Sequence, residues 1–315
     1  MKGLEIAEKY YLTYGAEMMA RDFPELTEIV AVGLTGSGSE CYGFDDDTSK
    51  DHDFEPGFIL FLPPEEVVDR KTAFRLERAY DKLPDEFMGL KRNKDVSFDT
   101  GRHGVVRTAD FFRAKVGDPE GELSLAQWMT TPEHFLLEAT NGKIFRDDIG
   151  AVTDIRRKLA YFPEDVRLKK LASALMLAEQ ASEYNYERQL SRGDTAAAQL
   201  AMYEYVQNAI AACFLLEKKY KPYYKWLFRA LIELPTFASL KGEFESLIST
   251  GNSLSEAEEK RSKIRLINSL LGEEIRRQGL SDYEGLHLGS FAYCVNGKVK
   301  DAGIRNAHLM SGSER

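Results

Sequence analysis

The first third of the chain alternates short apolar runs with amphipathic segments. The predicted strands are 29–32 and 58–62, with shorter candidates at 96–98 and 104–106. The predicted helices of this part, where apolar residues recur at helical spacing, are 3–21, 65–82 and 109–116. Strands mixed with helices indicate an α/β domain with a small mixed sheet and flanking helices.

Beyond the sequence GDPEG at 117–121 the pattern becomes helical. Glycine, aspartate and proline together favour a break in regular structure, so we place a domain boundary there. The helices predicted after it are 123–129, 132–139, 163–190, 195–219, 224–234, 238–249 and 255–278. Long helices joined by short loops are typical of antiparallel bundles. The chain is therefore expected to contain an α/β domain at 1–118 and a C-terminal helical bundle at 119–315.

Composition narrows the function classes. The formal net charge is −9 and the isoelectric point is about 5.3, which disfavours broad binding to a nucleic-acid backbone. Cys41, Cys213 and Cys294 lie far apart in the sequence, without the spacing of a metal site. We therefore expect reduced thiols and a cytoplasmic protein. No apolar run is long enough to predict a membrane span, so no membrane partner is expected.

The stretch that carries candidate chemistry begins directly after the first predicted strand, with Gly36, Ser37, Gly38 and Ser39. Glycine allows positive φ and close approach to a ligand. Successive backbone N–H groups in such a turn can bind phosphate oxygens. The sequence is not a P-loop, because no Gly-Lys-Ser/Thr follows. It is also not a dinucleotide fingerprint, because Cys41 replaces the third glycine.

Asp51 and Asp53 follow, just before the second predicted strand. Residues i and i+2 of an extended chain share a face, so the two carboxylates point the same way. Hard oxygen ligands of this kind suit Mg²⁺, which binds proteins through one or two carboxylates plus substrate phosphates. Alone, each motif also fits an ordinary turn or a solvated strand end. Together they indicate phosphoryl or nucleotidyl transfer.

These residues resemble a known signature. The pattern GSGS, eleven residues, then DHD is similar to that of the DNA polymerase β-like nucleotidyltransferase superfamily. The longer string GSGSECYGFDDDTSKDHDFEPGF at 36–58 resembles the DUF4037 family. Two later strings agree with that family, NYERQLSRGD at 185–194 and YKPYYKWLFRAL at 220–231.

The resemblance implies a nucleotidyltransferase fold and a Mg²⁺-dependent reaction. An NMP would move from an NTP to a hydroxyl of a small molecule or protein, with the nucleotide in the cleft between the domains. Asp51 and Asp53 would hold Mg²⁺, and Gly36, Ser37 and Ser39 would bind phosphates. Related bundles supply a lysine to the triphosphate, and the position here that matches is Lys225, which shares a helix face with Arg229.

The sequence departs from the superfamily in one respect. A third carboxylate usually stands on a neighbouring strand, but the expected strand at 104–107 holds no acid, and Asp99 is an uncertain substitute. This leaves open a catalytically silent nucleotide-binding regulatory protein. His103 is a weaker candidate, as a proton shuttle. The aromatics that could either stack on a base or belong to the core are Tyr184, Tyr186, Tyr223, Tyr224 and Trp226.

Overall fold

The computed structural model describes residues 1–47, 55–92 and 102–312. The chain divides into two compact units. The first contains Met1–Leu123 and Glu133–Ala160, and the second contains Ser124–Pro132 and Tyr161–Arg315. This division differs from the boundary predicted at 118 and 119, because Glu133–Ala160 return to the first unit and add a strand to its sheet.

The described strands all belong to the first unit. They are β1 (Ala31–Leu34), β2 (Ile59–Leu62), β3 (Glu86–Phe87), β4 (Leu90–Lys91), β5 (Gly104–Arg107) and β6 (Lys143–Arg146). Four of them form a sheet in the order β5-β2-β1-β6. β1 is antiparallel to both β2 and β6, whereas β2 is parallel to β5. β3 and β4 form a separate antiparallel pair. The first unit therefore has the small mixed sheet that the sequence predicts.

Sixteen α-helices lie in the described part of the chain. They are α1 (Gly3–Tyr10), α2 (Ala16–Asp22), α3 (Ser39–Tyr42), α4 (Arg70–Asp81), α5 (Thr108–Val116), α6 (Leu125–Thr130), α7 (Glu133–Thr140), α8 (Thr153–Lys158), α9 (Glu164–Glu179), α10 (Glu187–Ser191), α11 (Thr195–Leu216), α12 (Leu227–Leu231), α13 (Lys241–Ser249), α14 (Leu254–Arg277), α15 (Leu288–Gly297) and α16 (Ala302–Asn306). None of the described helices is long and apolar enough to cross a lipid bilayer. The protein is thus of mixed α and β structure and is mainly helical.

The core of the first unit lies between the sheet and α1, α2 and α4. Every residue of β1 and β2 is buried, as expected for central strands that are covered on both faces. Phe58 is fully buried, and its ring meets those of Tyr11 and Tyr80 edge to face at 5.3 and 5.0 Å. Such pairs add to the energy of burial. This packing fixes the start of β2 against the helical layer.

The predicted first helix is confirmed, with one irregularity. A π-helical turn at Tyr11–Gly15 joins α1 to α2. A Cβ at Gly15 would lie 2.5 Å from the Phe58 ring, so a glycine is needed where this helix crosses the strand. The helix predicted to start at 65 begins instead at Arg70. The Asp69 carboxylate accepts the Thr72 N–H at 2.7 Å and so caps its first turn.

The second unit is a set of packed helices centred on α9 and α11. The helix predicted at 163–190 is interrupted by a seven-residue π-helical segment, Gln180–Tyr186. α15 and α16 were not predicted, and both pack on α9. The buried Lys169 ammonium on α9 donates to the Ala307 carbonyl at 2.7 Å and to Asn296 Oδ1 at 3.0 Å. These bonds anchor the last described helices to the centre of the unit.

Candidate functional site

The glycine-serine turn follows β1 and leads directly into α3. Gly36 is buried and has a φ of +130°, and a Cβ on it would meet none of the described residues within 4 Å. Its backbone is therefore one that glycine favours, with room beside it among the described residues. Ser37 is exposed and Ser39, the first residue of α3, is half-buried. The structure thus brings together the predicted phosphate-binding residues Gly36, Ser37 and Ser39.

Several backbone donors of this turn have no protein acceptor. Within the ranges that the structure describes, the N–H groups of Ser37, Gly38 and Ser39 make no hydrogen bond to the protein. Unpaired N–H groups are costly when they are also removed from water, and Gly38 is buried. They point to an external acceptor, and an anion with several oxygens satisfies this need.

Asn141 holds the turn in place, and the sequence did not reveal this role. The Gly36 N–H donates to Asn141 Oδ1 at 2.9 Å, and Asn141 Nδ2 donates back to the Gly36 carbonyl at 2.8 Å. The Thr35 hydroxyl donates to the Glu138 carbonyl at 2.7 Å. Gly36 therefore supplies room rather than a donor, since its own N–H is already bonded.

The position of Asn141 is itself fixed. Gly142 has a φ of +65°, and a Cβ there would lie 2.1 Å from the Leu34 carbonyl oxygen. Arg156 donates to the carbonyls of Thr140 and Asn141, the latter at 2.5 Å. Burial lowers the pKa of this guanidinium. An Asn-Gly pair directly after a helix was the only signal in the sequence, and it indicates a turn without revealing what the turn contacts.

A buried ion pair links the turn to the start of β5. Arg102 Nη2 lies 2.5 Å from Glu40 Oε1, and the two side chains are 15% and 6% exposed. A Cβ at Gly38 would lie 2.1 Å from the ends of both side chains, so a larger residue there would displace the pair. The pair fixes the turn relative to the edge of the sheet, because Arg102 lies two residues before the first residue of β5.

A second pair lies at the entry to β2. His103 Nδ1 lies 3.0 Å from Glu55 Oε1, and the two side chains are 12% and 20% exposed. The imidazole packs against Gly57, where a Cβ would come within 2.6 Å of the ring. His103 Nε2 is buried and has no hydrogen-bond partner in the described part of the chain. A carboxylate on one nitrogen and a vacant second nitrogen are the features of an oriented base.

The predicted metal ligands Asp51 and Asp53 lie outside the described residues, and so does Asp99. The described residues contain no group of three His, Cys, Asp or Glu side chains that could hold a metal ion. By their chemistry, two carboxylates before β2 form a hard oxygen set that fits Mg²⁺. β5 is the parallel neighbour of β2 and contains Gly, Val, Val and Arg. The strand next to β2 therefore lacks an acid, as the sequence predicts.

Lys225 belongs to the second unit. It is exposed in a 3₁₀ turn at Tyr224–Trp226, not in a regular α-helix as predicted, and its Nζ lies 5.2 Å from the Trp226 ring. Its contact with a triphosphate stays a prediction, and so does the cleft between the domains. Tyr186 is fully buried, and its hydroxyl donates to Asn252 Oδ1 at 3.0 Å, so it belongs to the core.

Comparison with known proteins supports the family over part of the chain. Residues 128–227 match the DUF4037 family, whose description is a domain of unknown function. This match supports the family resemblance over residues 128–227, which are less than half of the chain. The match includes the string at 185–194 but not the glycine-serine turn. No curated protein and no solved structure matches the chain.

Proposed function

We propose that this protein is a Mg²⁺-dependent nucleotidyltransferase. It would transfer an NMP from an NTP to a hydroxyl group of a small molecule or a protein. The observation that carries the proposal is the turn at Ser37, Gly38 and Ser39, whose N–H groups have no protein acceptor among the described residues. Two serine hydroxyls and the room beside Gly36 among the described residues accompany them. Such a turn is suited to the β- and γ-phosphates.

The arrangement of the strands supports the nucleotidyltransferase fold. β1 and β2 are antiparallel, with Gly33 opposite Ile59. The chain therefore leaves β1 for the turn and later enters β2 at the same end of the sheet. Asp51 and Asp53 precede this entry in the sequence. A phosphate-binding turn thus follows β1, and a pair of acidic residues precedes β2, where these two strands meet at one end of the sheet. Nucleotidyl transfer requires both features.

The proposed reaction is an in-line displacement at the α-phosphorus. The acceptor oxygen forms a bond to that phosphorus while the bond to pyrophosphate breaks. When bound by Asp51 and Asp53, Mg²⁺ would neutralise charge on the phosphate oxygens. The turn would hold the leaving group rigidly, because Asn141 and the Glu40–Arg102 pair fix its backbone.

A base is also needed for the acceptor proton. We assign this role to His103, because Glu55 orients its ring and Nε2 has no partner in the described structure. Histidine is the side chain that most often accepts a proton as a general base. With this assignment, no acid on β5 is needed as the base, because His103 directly precedes that strand and takes the role.

A second candidate function is a regulatory protein that binds a nucleotide without turnover. The absence of an acid on β5 favours it. The two functions differ in the release of pyrophosphate in the presence of candidate acceptors. Binding of Mg·NTP with no pyrophosphate release for any acceptor would favour the regulatory protein.

The proposal is tested by calorimetric titration of Mg·NTP into the parent protein and into Asp51→Asn and Asp53→Asn. We expect both variants to keep the fold and to lose Mg²⁺-dependent binding, since each removes a charged ligand. Asp81→Asn, at the exposed end of α4, serves as the control and should bind like the parent. Parent-like affinity in either Asp51→Asn or Asp53→Asn would show the metal assignment to be wrong.

A further inference from the structure

Two polar side chains on one face of α9 are buried without a hydrogen-bond partner. Lys170 is 2% exposed, and Ser173 is fully buried. Among the described residues, neither the Lys170 ammonium nor the Ser173 hydroxyl makes a hydrogen bond. Residues three apart in a helix share a face, so the two groups are neighbours. Buried polar groups are nearly always hydrogen-bonded, and this pair therefore needs an explanation.

Comparable side chains in the same helical region do have partners. The neighbouring Lys169 ammonium is also buried, but it donates to three oxygens of the segments packed on α9. Ser182 lies in the π-helical segment that follows α9, and its buried hydroxyl donates to the carbonyl four residues earlier at 3.0 Å. Serines in helices often make this bond. The missing partners are therefore particular to Lys170 and Ser173.

The Lys170 ammonium also lacks a counter-charge. It lies 5.1 Å from the centroid of the Phe162 ring, a contact that favours the charged form. In the part of the chain that the structure describes, Lys170 has no ion pair, whereas Arg167, three residues earlier, pairs with Glu164 at 2.6 Å. Two elements packed on α9, namely α6 and the 3₁₀ turn Leu309–Gly312, contain no acidic residue. A buried charge without a partner is costly, so a missing anion is indicated.

A small oxyanion supplies what both side chains lack. The Cβ atoms of residues three apart in a helix are about 5–6 Å from each other, so one oxygen can accept from the ammonium and another from the hydroxyl. A buried water molecule could bond both groups, but it would leave the charge of Lys170 unbalanced. Because both groups are shielded from solvent, the ligand must be small, which excludes a nucleotide.

We propose that Lys170 and Ser173 bind a small oxyanion, of the size of inorganic phosphate, inside the second unit. The anion balances the charge of Lys170 and accepts a hydrogen bond from Ser173. The site uses no residue of the glycine-serine turn, so it goes beyond the proposed function and does not depend on it. Because the anion binds only the folded unit, its concentration sets the stability of that unit.

The test is denaturant unfolding of the full chain at increasing concentrations of inorganic phosphate, with NaCl keeping the ionic strength constant. Both tryptophans of the chain, Trp128 and Trp226, belong to the second unit, so their fluorescence follows the unfolding of that unit. All variants carry Gly36→Val as a common background, because this change blocks the other candidate phosphate site. The unfolding midpoint of the background protein should rise with phosphate concentration.

Lys170→Met keeps an unbranched apolar side chain and removes the charge. It should weaken the apparent affinity for phosphate by about tenfold or more, because a charged hydrogen bond is lost. Ser173→Ala should weaken this affinity by about twofold to tenfold, as expected for a neutral hydrogen bond. Lys241→Met removes the charge of a partly exposed lysine that pairs with Glu245 in the same unit, and it should respond to phosphate like the background.

The stability without phosphate separates the site from a merely structural lysine. Lys170→Met should then be at least as stable as the background, because it removes an unbalanced buried charge. A loss of stability that was the same at every phosphate concentration would overturn the site, since it would show that Lys170 only packs on Phe162. If Lys170→Met did not fold, Ser173→Ala would decide, and an unchanged phosphate response in that variant would contradict the proposal.

Further titrations identify the anion. Stabilisation by acetate in place of phosphate, lost in Lys170→Met, would support the site and assign it to a carboxylate compound. Stabilisation by tripolyphosphate that depended on Lys170 to the same extent would contradict an enclosed site for a small anion. Glu314 lies outside the described residues, and Glu314→Gln tests for a carboxylate of the chain itself. A phosphate response that appeared only in Glu314→Gln would overturn the binding of a free anion.

Discussion

At the residue scale, the turn depends on a few positions that favour glycine. Gly36 and Gly142 have positive φ, and a Cβ at Gly142 would also meet the Leu34 backbone, while one at Gly38 would meet the Glu40–Arg102 pair. Asn141 completes the set by bonding both backbone groups of Gly36. The geometry of the phosphate-binding turn is therefore held by residues that would not contact the phosphate.

Gly142→Ala is predicted to be much more destabilising than Gly89→Ala. Both glycines have positive φ, so each alanine introduces backbone strain of about 1–2 kcal/mol. At Gly142 the new Cβ would also meet a backbone atom, at 2.1 Å, whereas at Gly89 it would meet none of the described residues within 4 Å. Denaturant unfolding of both variants measures the difference. Equal losses of unfolding free energy in the two variants would show that β1 shifts to accommodate the added methyl group.

Asn141→Ala is predicted to weaken NTP binding without direct contact. The variant leaves the Gly36 N–H and carbonyl without partners, which costs about 1–3 kcal/mol in the free energy of unfolding. The loosened turn should also bind Mg·NTP less tightly. Asn208→Ala removes a half-buried asparagine on α11 that bonds only within its own helix, and it is the control. If Asn141→Ala lost stability but bound NTP like the parent, the hydrogen bonds from Asn141 to Gly36 would not be needed for NTP binding.

The residues of the turn could be found from the sequence because glycine and serine carry a local backbone signal. Asn141 could not, because it lies 105 positions after Gly36 in the chain. Arg156 could not either, because it acts only through the carbonyls of Thr140 and Asn141. The Glu55–His103 pair is similar. His103 was a weak candidate from sequence, and its partner became known only when β5 was placed beside β2.

At the element scale, local sequence signals predicted which segments are helical better than they predicted where each helix begins and ends. The helix predicted at 255–278 is confirmed as α14, but it begins at Leu254, one residue earlier, with Ser253 and Glu256 as its capping box. β6 was missed because a four-residue strand has little pattern of its own. Its pairing with β1 supplies the stability that the local sequence lacks.

The last turn of α14 provides a prediction for pH dependence. Glu274 accepts two bonds from Arg277, at 2.6 and 2.7 Å, and one from Gln278. The Arg277 hydrogen bonds hold the pKa of Glu274 below its usual value. A carboxyl with a lowered folded pKa stabilises the protein above its unfolded pKa, and this contribution is lost as the pH falls through the folded pKa.

Glu274→Gln should therefore lose about 1 kcal/mol of unfolding free energy at pH 7, a value reduced because Arg277 is 72% exposed. The difference from the parent should shrink as the pH is lowered below the usual glutamate pKa. Glu245→Gln, on the exposed face of α13, is the control and should show little effect. A loss that stayed constant at low pH would indicate a packing defect instead of a lost charge.

At the scale of the whole molecule, each unit is built from two segments that are separate in the sequence. Glu133–Ala160 belong with the first unit, while Ser124–Pro132 before them belong with the second. The glycine, aspartate and proline at 117–121 predicted a boundary at 118 and 119, whereas the first unit runs to Leu123 and includes Glu133–Ala160, a return that local sequence could not show. The returning segment supplies β6, Asn141 and Arg156, so the turn is complete only when it has docked.

A ligand that binds only the folded protein should raise its stability. At a hundredfold excess of Mg·NTP over its Kd the gain is about 2.7 kcal/mol. We expect a higher melting temperature for the parent with Mg·NTP and no shift for Gly36→Val. The increase in melting temperature should become larger as the NTP concentration rises. A shift of the same size in Gly36→Val would place the nucleotide away from the turn.

The central claim is that the turn after β1 binds the triphosphate of an NTP. Its most direct test is a crystal structure of the protein soaked with NTP and Mg²⁺. The account predicts phosphate density against Ser37 and Ser39, with the metal held by Asp51 and Asp53. Triphosphate density at any other place, or Mg²⁺ bound without these two carboxylates, would contradict it.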